Sequence, residues 1–316
     1  MSIKSIHPLH SLKGHQAPVL TVEYAKESFL GQDLLASGSE DNTCRVWDLK
    51  SKKVLKGIKN LDAPVLIYDL RSEDTIITEP IQVYEFSNDE INSIDINENN
   101  KFLVTADDEG VVNIVDLGTH KIYKKTSKKH NSICMSAKFR AKKPWEVWSG
   151  GMDSKIYEWD FSRGLPTNIY DMTPKEPSAT QMFNPPFVYK ITTSPDGEWV
   201  AASLGDSTIQ LIAPPNKKHK KHLREIRLED GHNSMVNCLS FLTGDKSLLI
   251  SGAANGRVTI WDHNNEKTPL VGMFQLNDGL GKLNNLKAFD MDGALYIATA
   301  GTSKCNDGAL QIYQLE

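Results

Sequence analysis

Histidine, serine, aspartate and tryptophan recur in one order three times along this chain of 316 residues. A histidine comes first (His15, His130, His232) and a serine follows (Ser37, Ser149, Ser251). Four residues on stands an acid or amide (Asp41, Asp153, Asn255), and six further on a tryptophan (Trp47, Trp159, Trp261). Serine, histidine and aspartate are the side chains of a nucleophile, its general base and the carboxylate that orients the base. A catalytic triad, however, is built once, in one cleft. Three copies at a repeat spacing point to structure instead. No glycine loop that could cradle a phosphate, zinc-ligand set or nucleophile elbow accompanies them. A non-enzymatic chain without cofactor or metal is therefore expected, and an enzyme with an axial pocket stands only as an alternative.

The elements that carry these residues are short. Runs such as VLTVEY, VVNIVDL and ALQIYQL are rich in β-branched and aromatic residues, and Gly, Asn, Asp and Ser separate them, as in many strands joined by tight turns. Apolar residues make up 39% and charged residues 24%, which suits a soluble chain with a real core. The net charge of −4 supplies no overall attraction to nucleic acid or membrane. Cys44, Cys134, Cys238 and Cys305 are scattered, without a CxxC pair, so neither a disulfide framework nor a zinc site is expected. The first residues lack the apolar run of a signal peptide, and no stretch approaches the ~20 apolar residues of a membrane span. A cytoplasmic or nuclear location is the expectation.

The recurring tetrad, with Gly14-His15, Lys129-His130 and Gly231-His232 ahead of Ser-Gly-x-x-Asp/Asn and Trp-Asp, resembles the WD-repeat family of β-propellers. That resemblance implies a hydrogen-bonded chain within each blade. The turn acid would hold the histidine ring, the serine would bridge, and the indole N–H would donate at the far end. It also implies an all-β, seven-bladed propeller over residues 1–316 that presents its rim to protein partners.

Seven strand ends can be followed: Trp47-Asp48, Tyr68-Asp69, Val115-Asp116, Trp159-Asp160, Ile212-Ala213, Trp261-Asp262 and Tyr313-Gln314. Their spacings are 21, 47, 44, 53, 49 and 52 residues, against a period of about 40–45. The short first interval makes blade two, about 52–86, incomplete. Within it DAPVLIYDLRS (62–72) parallels DNTCRVWDLKS (41–51) and reads as a third strand whose inner neighbours are missing. A rival parsing takes 63–70 as an inner strand, followed by TIIT (75–78) and IQVYEF (81–86). Residues 5–13 are spare, and the resemblance implies that they complete the last blade. Residues 173–186 read as a Pro-rich loop insertion, and 214–224 as a basic loop.

Three surface features carry possible function. In the WD-repeat family, substrate receptors of cullin-RING ubiquitin ligases often end a strand in Trp-Asp-x-Arg, whose arginine meets the UV-damaged-DNA-binding adaptor. Tyr68-Asp69-Leu70-Arg71 resembles that motif, and Trp47-Asp48-Leu49-Lys50 is a second copy with an ammonium in place of the bidentate guanidinium. The plain alternative is an exposed arginine paired with a neighbouring carboxylate. Lys217, Lys218, Lys220, Lys221 and Arg224 could bind the phosphates of nucleic acid or phosphoinositide, or simply solvate a loop. Asp107-Asp108-Glu109 could be half a metal site or an acidic turn. Trp145 and Trp148 in PWEVWSGG read as core or rim packing.

Overall fold

The computed structural model describes residues 3–28, 31–61, 65–124, 126–174, 184–215, 223–242, 248–265, 269–276 and 279–316. Every regular element among them is a strand. Among the described residues the strands make six sheets and one two-stranded ribbon, an all-β arrangement with six blades rather than the expected seven. The chain divides into two compact units, one of Met1–Glu85, Leu242–Asp262 and Leu270–Glu316, the other of Phe86–Phe241 and His263–Pro269.

Unit one begins with β1 (Ile6–Ser11), β2 (Val19–Ala25), β3 (Leu34–Ser39), β4 (Thr43–Asp48), β5 (Lys53–Ile58), β6 (Val65–Ile67), β7 (Ile76–Ile77) and β8 (Gln82–Tyr84). Unit two holds β9 (Ile91–Ile96), β10 (Phe102–Asp107), β11 (Val112–Asp116) and β12 (Lys121–Lys124), which pair in the order β12-β11-β10-β9. Next come β13 (Cys134–Phe139), β14 (Glu146–Gly151), β15 (Lys155–Asp160) and β16 (Leu165–Asp171), paired in chain order. The same order joins β17 (Val188–Thr193), β18 (Val200–Leu204), β19 (Ile209–Ala213) and β20 (Arg224–Leu228), and β21 (Val236–Phe241) follows. The chain returns to unit one with β22 (Leu248–Ala253), β23 (Arg257–Asp262) and β24 (Leu270–Gln275), then β25 (Leu280–Met291), β26 (Ala294–Ser303) and β27 (Gly308–Leu315).

Burial follows strand position. β10, β18 and β22 are buried along their whole length, whereas the outer strands β12 and β16 are mostly exposed. A middle strand has sheet on both sides and packed neighbours on both faces, so it reads as an uninterrupted apolar or small-residue run. In unit two, Phe102, Val104, Ile114, Phe139, Tyr157 and Trp159 form one core between the first two sheets. Trp148, Ile156, Val188, Ile191 and Leu204 form another between the second and third sheets. Gly151 is required where it stands, because a Cβ there would lie 2.8 Å from the Ile133 carbonyl oxygen and 2.9 Å from His130 Nδ1.

The first and last strands meet. β1 pairs antiparallel with β27 from Ile6↔Leu315 to Ser11↔Gln311, in a sheet ordered β1-β27-β26-β25. The amides of Lys4 and Ser5 reach the Glu316 carbonyl at 2.6 and 3.0 Å. The pairing covers one edge of β27 that would otherwise offer unpaired backbone groups.

Residues 52–86 divide between two places. β5 is the fourth strand of the first sheet, paired antiparallel with β4, and β7 adds to its outer edge in parallel at Gly57↔Ile76 and Ile58↔Ile77. β6 and β8 pair only with each other, Val65↔Tyr84 to Ile67↔Gln82. Neither parsing of this stretch holds. Val65–Ile67 is not the third strand of a larger sheet, and TIIT does not lie between its neighbours. The physical reason is length: a blade of four strands and its turns takes about 40 residues, and β5 uses part of the 21-residue interval for the first sheet.

Candidate functional site

The turns fix everything that follows. An aspartate or asparagine at each of many turns accepts the backbone N–H two residues on. Asp41 takes Thr43 N at 3.1 Å, Asp153 takes Lys155 N at 3.2 Å and Asn255 takes Arg257 N at 3.1 Å. The opposite strand ends do the same: Asp48 with Lys50 N (3.0 Å), Asp69 with Arg71 N (3.0 Å), Asp116 with Gly118 N (2.8 Å) and Asp160 with Ser162 N (3.1 Å). These are Asx turns, in which a short acceptor side chain replaces a backbone carbonyl. The aspartates of the Trp47-Asp48, Tyr68-Asp69 and Trp159-Asp160 pairs are thus turn caps.

Two tetrads form complete chains. In the first sheet His15 Nδ1 lies 3.0 Å from Asp41 Oδ2 and His15 Nε2 lies 2.9 Å from Ser37 Oγ, which accepts Trp47 Nε1 at 2.9 Å. In unit two the distances are 2.9 Å from His130 Nδ1 to Asp153, 2.8 Å from His130 Nε2 to Ser149 Oγ, and 2.8 Å from Trp159 Nε1 to Ser149 Oγ. A carboxylate can only accept, so Nδ1 carries the proton and Nε2 accepts the serine hydroxyl hydrogen. The chain therefore runs Trp N–H to Ser O–H to His, and His N–H to Asp. That is the connectivity of a catalytic triad, yet Ser37, Ser149, His15 and His130 are all buried. No substrate reaches either serine.

Electrostatics follow the same bonds. Burial would raise the Asp41 carboxyl, but hydrogen bonds from Thr43, the Gln16 amide and His15 outweigh it and bring it down to about 2. Asp153 is also lowered: burial opposes this, and the hydrogen bonds from His130 and the Asn131 and Lys155 amides prevail. Burial pushes His15 below its ordinary value despite Asp41. Thr43, which donates to Asp41 at 2.6 Å, is a member of the first chain that the repeat pattern passes over.

In the third copy Trp261 Nε1 donates to Ser251 Oγ at 2.8 Å. Ser251, Asn255 and Trp261 belong to unit one, and His232 to unit two.

Arg71 lies in the turn after β6, with its side chain 76% exposed. Asp69 grips it from below: Nε donates to Oδ1 at 2.8 Å and Nη2 to Oδ2 at 2.7 Å. Hydrogen bonding and charge from Arg71 hold the Asp69 carboxyl down to about 2. Tyr68 Oη sits 3.3 Å from the Asn60 carbonyl oxygen. Lys50 is exposed on the equivalent turn after β4. Of the basic residues, Lys217, Lys218, Lys220 and Lys221 lie outside the described residues, as do 175–183 of the insertion. Arg224 packs its guanidinium 4.7 Å from the Trp199 ring centre. Asp107 is buried and accepts Val111 N at 2.8 Å, while Asp108 accepts Asn92 Nδ2 at 2.7 Å. Among the described residues no group of three His, Cys, Asp or Glu could hold a metal.

Two grooves lie within the units. One of about 360 Å³ in unit two is lined by Pro185, Phe187, Tyr189, Asn233 and Met235, among others, and by no charged side chain. Another of about 320 Å³ beside β5 and β7 holds Arg45 and Lys59 but no carboxylate or histidine. Neither sets a general acid against a base.

Trp148 is core, whereas Trp145 is 44% exposed and stacks with Tyr123. Sequence reasoning missed this pair. Its members sit on a strand of one sheet and in a turn of the next, and the one available hint was a tyrosine between lysines on an outer strand.

The WD domain, G-beta repeat family model matches residues 6–48, 78–116 and 221–262. WD repeat-containing protein 53 homolog of Dictyostelium discoideum is 27% identical over 79% of this chain and 77% of its own. Ribosome biogenesis protein WDR12 homolog of Trichoplax adhaerens is 21% identical over 94% of this chain and 74% of its own. Pre-mRNA-processing factor 17 of Homo sapiens is 28% identical over 39% of this chain and 19% of its own.

Proposed function

We propose, from the premise that this chain carries WD repeats, that it docks a ubiquitin-ligase adaptor through the turn bearing Arg71 and holds a substrate on another part of its surface. Its general role is that of a non-enzymatic protein-interaction scaffold, the role typical of WD-repeat β-propellers. The buried serines speak against an enzyme.

The finer reading turns on the state of Arg71, which is exposed and paired with Asp69 as the plain alternative expected. An exposed arginine usually spends its side-chain entropy on binding. Here Asp69 holds Nε and Nη2 in a bidentate fork, so the guanidinium is already oriented and its Nη1 donors are left for a partner. Lys50 lacks that fork and would contribute a point charge. The site is cytoplasmic or nuclear on this reading. Arg71→Ala and Arg71→Lys, captured on the immobilised UV-damaged-DNA-binding adaptor, test it. Capture should fall at least about tenfold with alanine and partly with lysine, about 1.4 kcal/mol for each factor of ten. Capture unchanged in Arg71→Ala would refute the docking role and leave the scaffold role standing.

A further inference from the structure

Unit two carries an exposed aromatic platform that the Arg71 reading does not use. Tyr123 on β12 and Trp145 just before β14 are 39% and 44% exposed, with ring centres 6.2 Å apart and planes 29° apart. Phe102 lies against Tyr123 at 4.9 Å, and Phe161 against Trp145 at 5.3 Å. Phe161 N donates to the Trp145 carbonyl at 3.0 Å, and Lys124 Nζ to the Ser162 carbonyl at 3.0 Å. Both rings are therefore fixed in place, half in water. The other five tryptophans (Trp47, Trp148, Trp159, Trp199 and Trp261) are all at most 2% exposed, so the exposure of Trp145 is particular to this corner.

Cations lie close in sequence to the platform residues, and Lys124 reaches the turn beside Phe161. Lys121 and Lys124 stand on either side of Tyr123, Lys143 two residues before Trp145, Arg163 two after Phe161, and Lys101 beside Phe102. Among the described residues none of these five joins an ion pair. Three acids stand in the same turns: Asp116 and Asp160 accept the Gly118 and Ser162 amides, and Glu98 accepts the Lys142 amide. On a chain of net charge −4 the five cations outnumber these three carboxylates, which neutral amide donors leave charged. Lysines on an outer strand also guard it against pairing with another sheet, but that guard does not require two fixed aromatic rings between them.

We propose that this corner binds an acidic, extended segment of a partner protein that carries one aromatic or large aliphatic side chain. The apolar side chain covers the Tyr123–Trp145 rings, whose exposed faces gain from burial. The carboxylates pair with Lys121, Lys124 and Arg163. β12 is the outer strand of its sheet, so its free edge is placed to take main-chain hydrogen bonds from the same segment. A short acidic peptide suits the corner better than a polynucleotide, because a long polyanion would meet the net negative charge of the rest of the chain.

The full chain is titrated against a fluorescently labelled peptide of nine residues, eight glutamate or aspartate around one central phenylalanine, read by anisotropy at low salt. Saturable binding is expected. It should weaken at least about tenfold in Trp145→Ser and in the surface double variant Lys121→Glu/Lys124→Glu, and when alanine replaces the peptide phenylalanine. Arg71→Ala should leave it unchanged, which separates this site from the adaptor turn. Absence of binding, or binding indifferent to both variants, overturns the proposal. Tighter binding of an oligothymidylate at the same residues also overturns it, in favour of single-stranded nucleic acid.

Discussion

Removing the Ser149 hydroxyl is a sharp probe of how the tetrads hold a sheet together. Ser149 Oγ accepts the Trp159 indole N–H at 2.8 Å and donates to His130 Nε2 at 2.8 Å. All three groups are buried, so no water replaces the hydroxyl in Ser149→Ala. Two polar groups are orphaned at once, at about 1–3 kcal/mol each, for a loss of about 2–6 kcal/mol. Trp159→Phe removes the donor instead and leaves the serine bonded to His130. In the double variant the phenylalanine has no N–H to orphan, so only His130 Nε2 is left unpaired. The double variant should therefore cost about 1–2 kcal/mol less than the sum of the single ones. Urea unfolding followed by fluorescence and circular dichroism supplies the free energies, with hydrogen exchange of the β14 and β15 amides as a local readout, since two compact units need not unfold in one step. A Ser149→Ala cost below about 0.5 kcal/mol, or strict additivity in the double variant, would refute the chain as a coupled network.

Acid should weaken the first sheet in a defined window. Asp41 is held down to about 2 from 3.8 in the folded protein. Its contribution is present above 3.8 and lost as pH falls through 3.8 toward 2, about 2 kcal/mol in all. The lowered His15 adds a loss that begins as pH falls below 6.5, where the unfolded chain takes up the proton first. Asp41→Asn should flatten unfolding free energy against pH between 4 and 2, and an unaltered slope would count against the assignment. Thiol labelling of the native chain should modify exposed Cys305 rapidly. Cys44, whose thiol burial pushes up to about 11, should react only slowly, and the buried Cys134 and Cys238 only on unfolding. Deleting residues 1–13 removes β1 and bares the edge of β27. Thermal unfolding should shift downward with more aggregation on heating, and an unchanged transition would mean that the β1–β27 pairing contributes nothing.

Some of the molecule is legible because the interactions are local. Asp at a turn followed two residues later by a free amide is an Asx turn wherever it occurs, so Asp41, Asp48, Asp69 and Asp153 announce strand ends directly. The tetrads are nearly as legible, because a buried serine between histidine and tryptophan leaves few other ways to satisfy all three. Thr43 escaped notice because hydroxyls are common and its partner is set only when the turn closes.

The half-sized interval after Trp47 marked the correct place for an irregularity and suggested the wrong object. Strand letters in 63–86 fit several pairings. What chose among them was tertiary: β5 was claimed by β4, β7 by the outer edge of β5, and β6 was left with β8. The same holds for Tyr123 and Trp145. Each is an ordinary aromatic in its own strand or turn, and only the meeting of two sheets over Phe102 and Phe161 turns them into a platform. The sequence by itself marked most strands and turns and, through the family resemblance, the tetrads of His15 and His130, because those bonds depend on near neighbours or on one repeated pattern. The number of sheets, the fate of residues 52–86 and the aromatic corner were decided by tertiary structure, since each depends on which of several compatible surfaces a strand or ring meets.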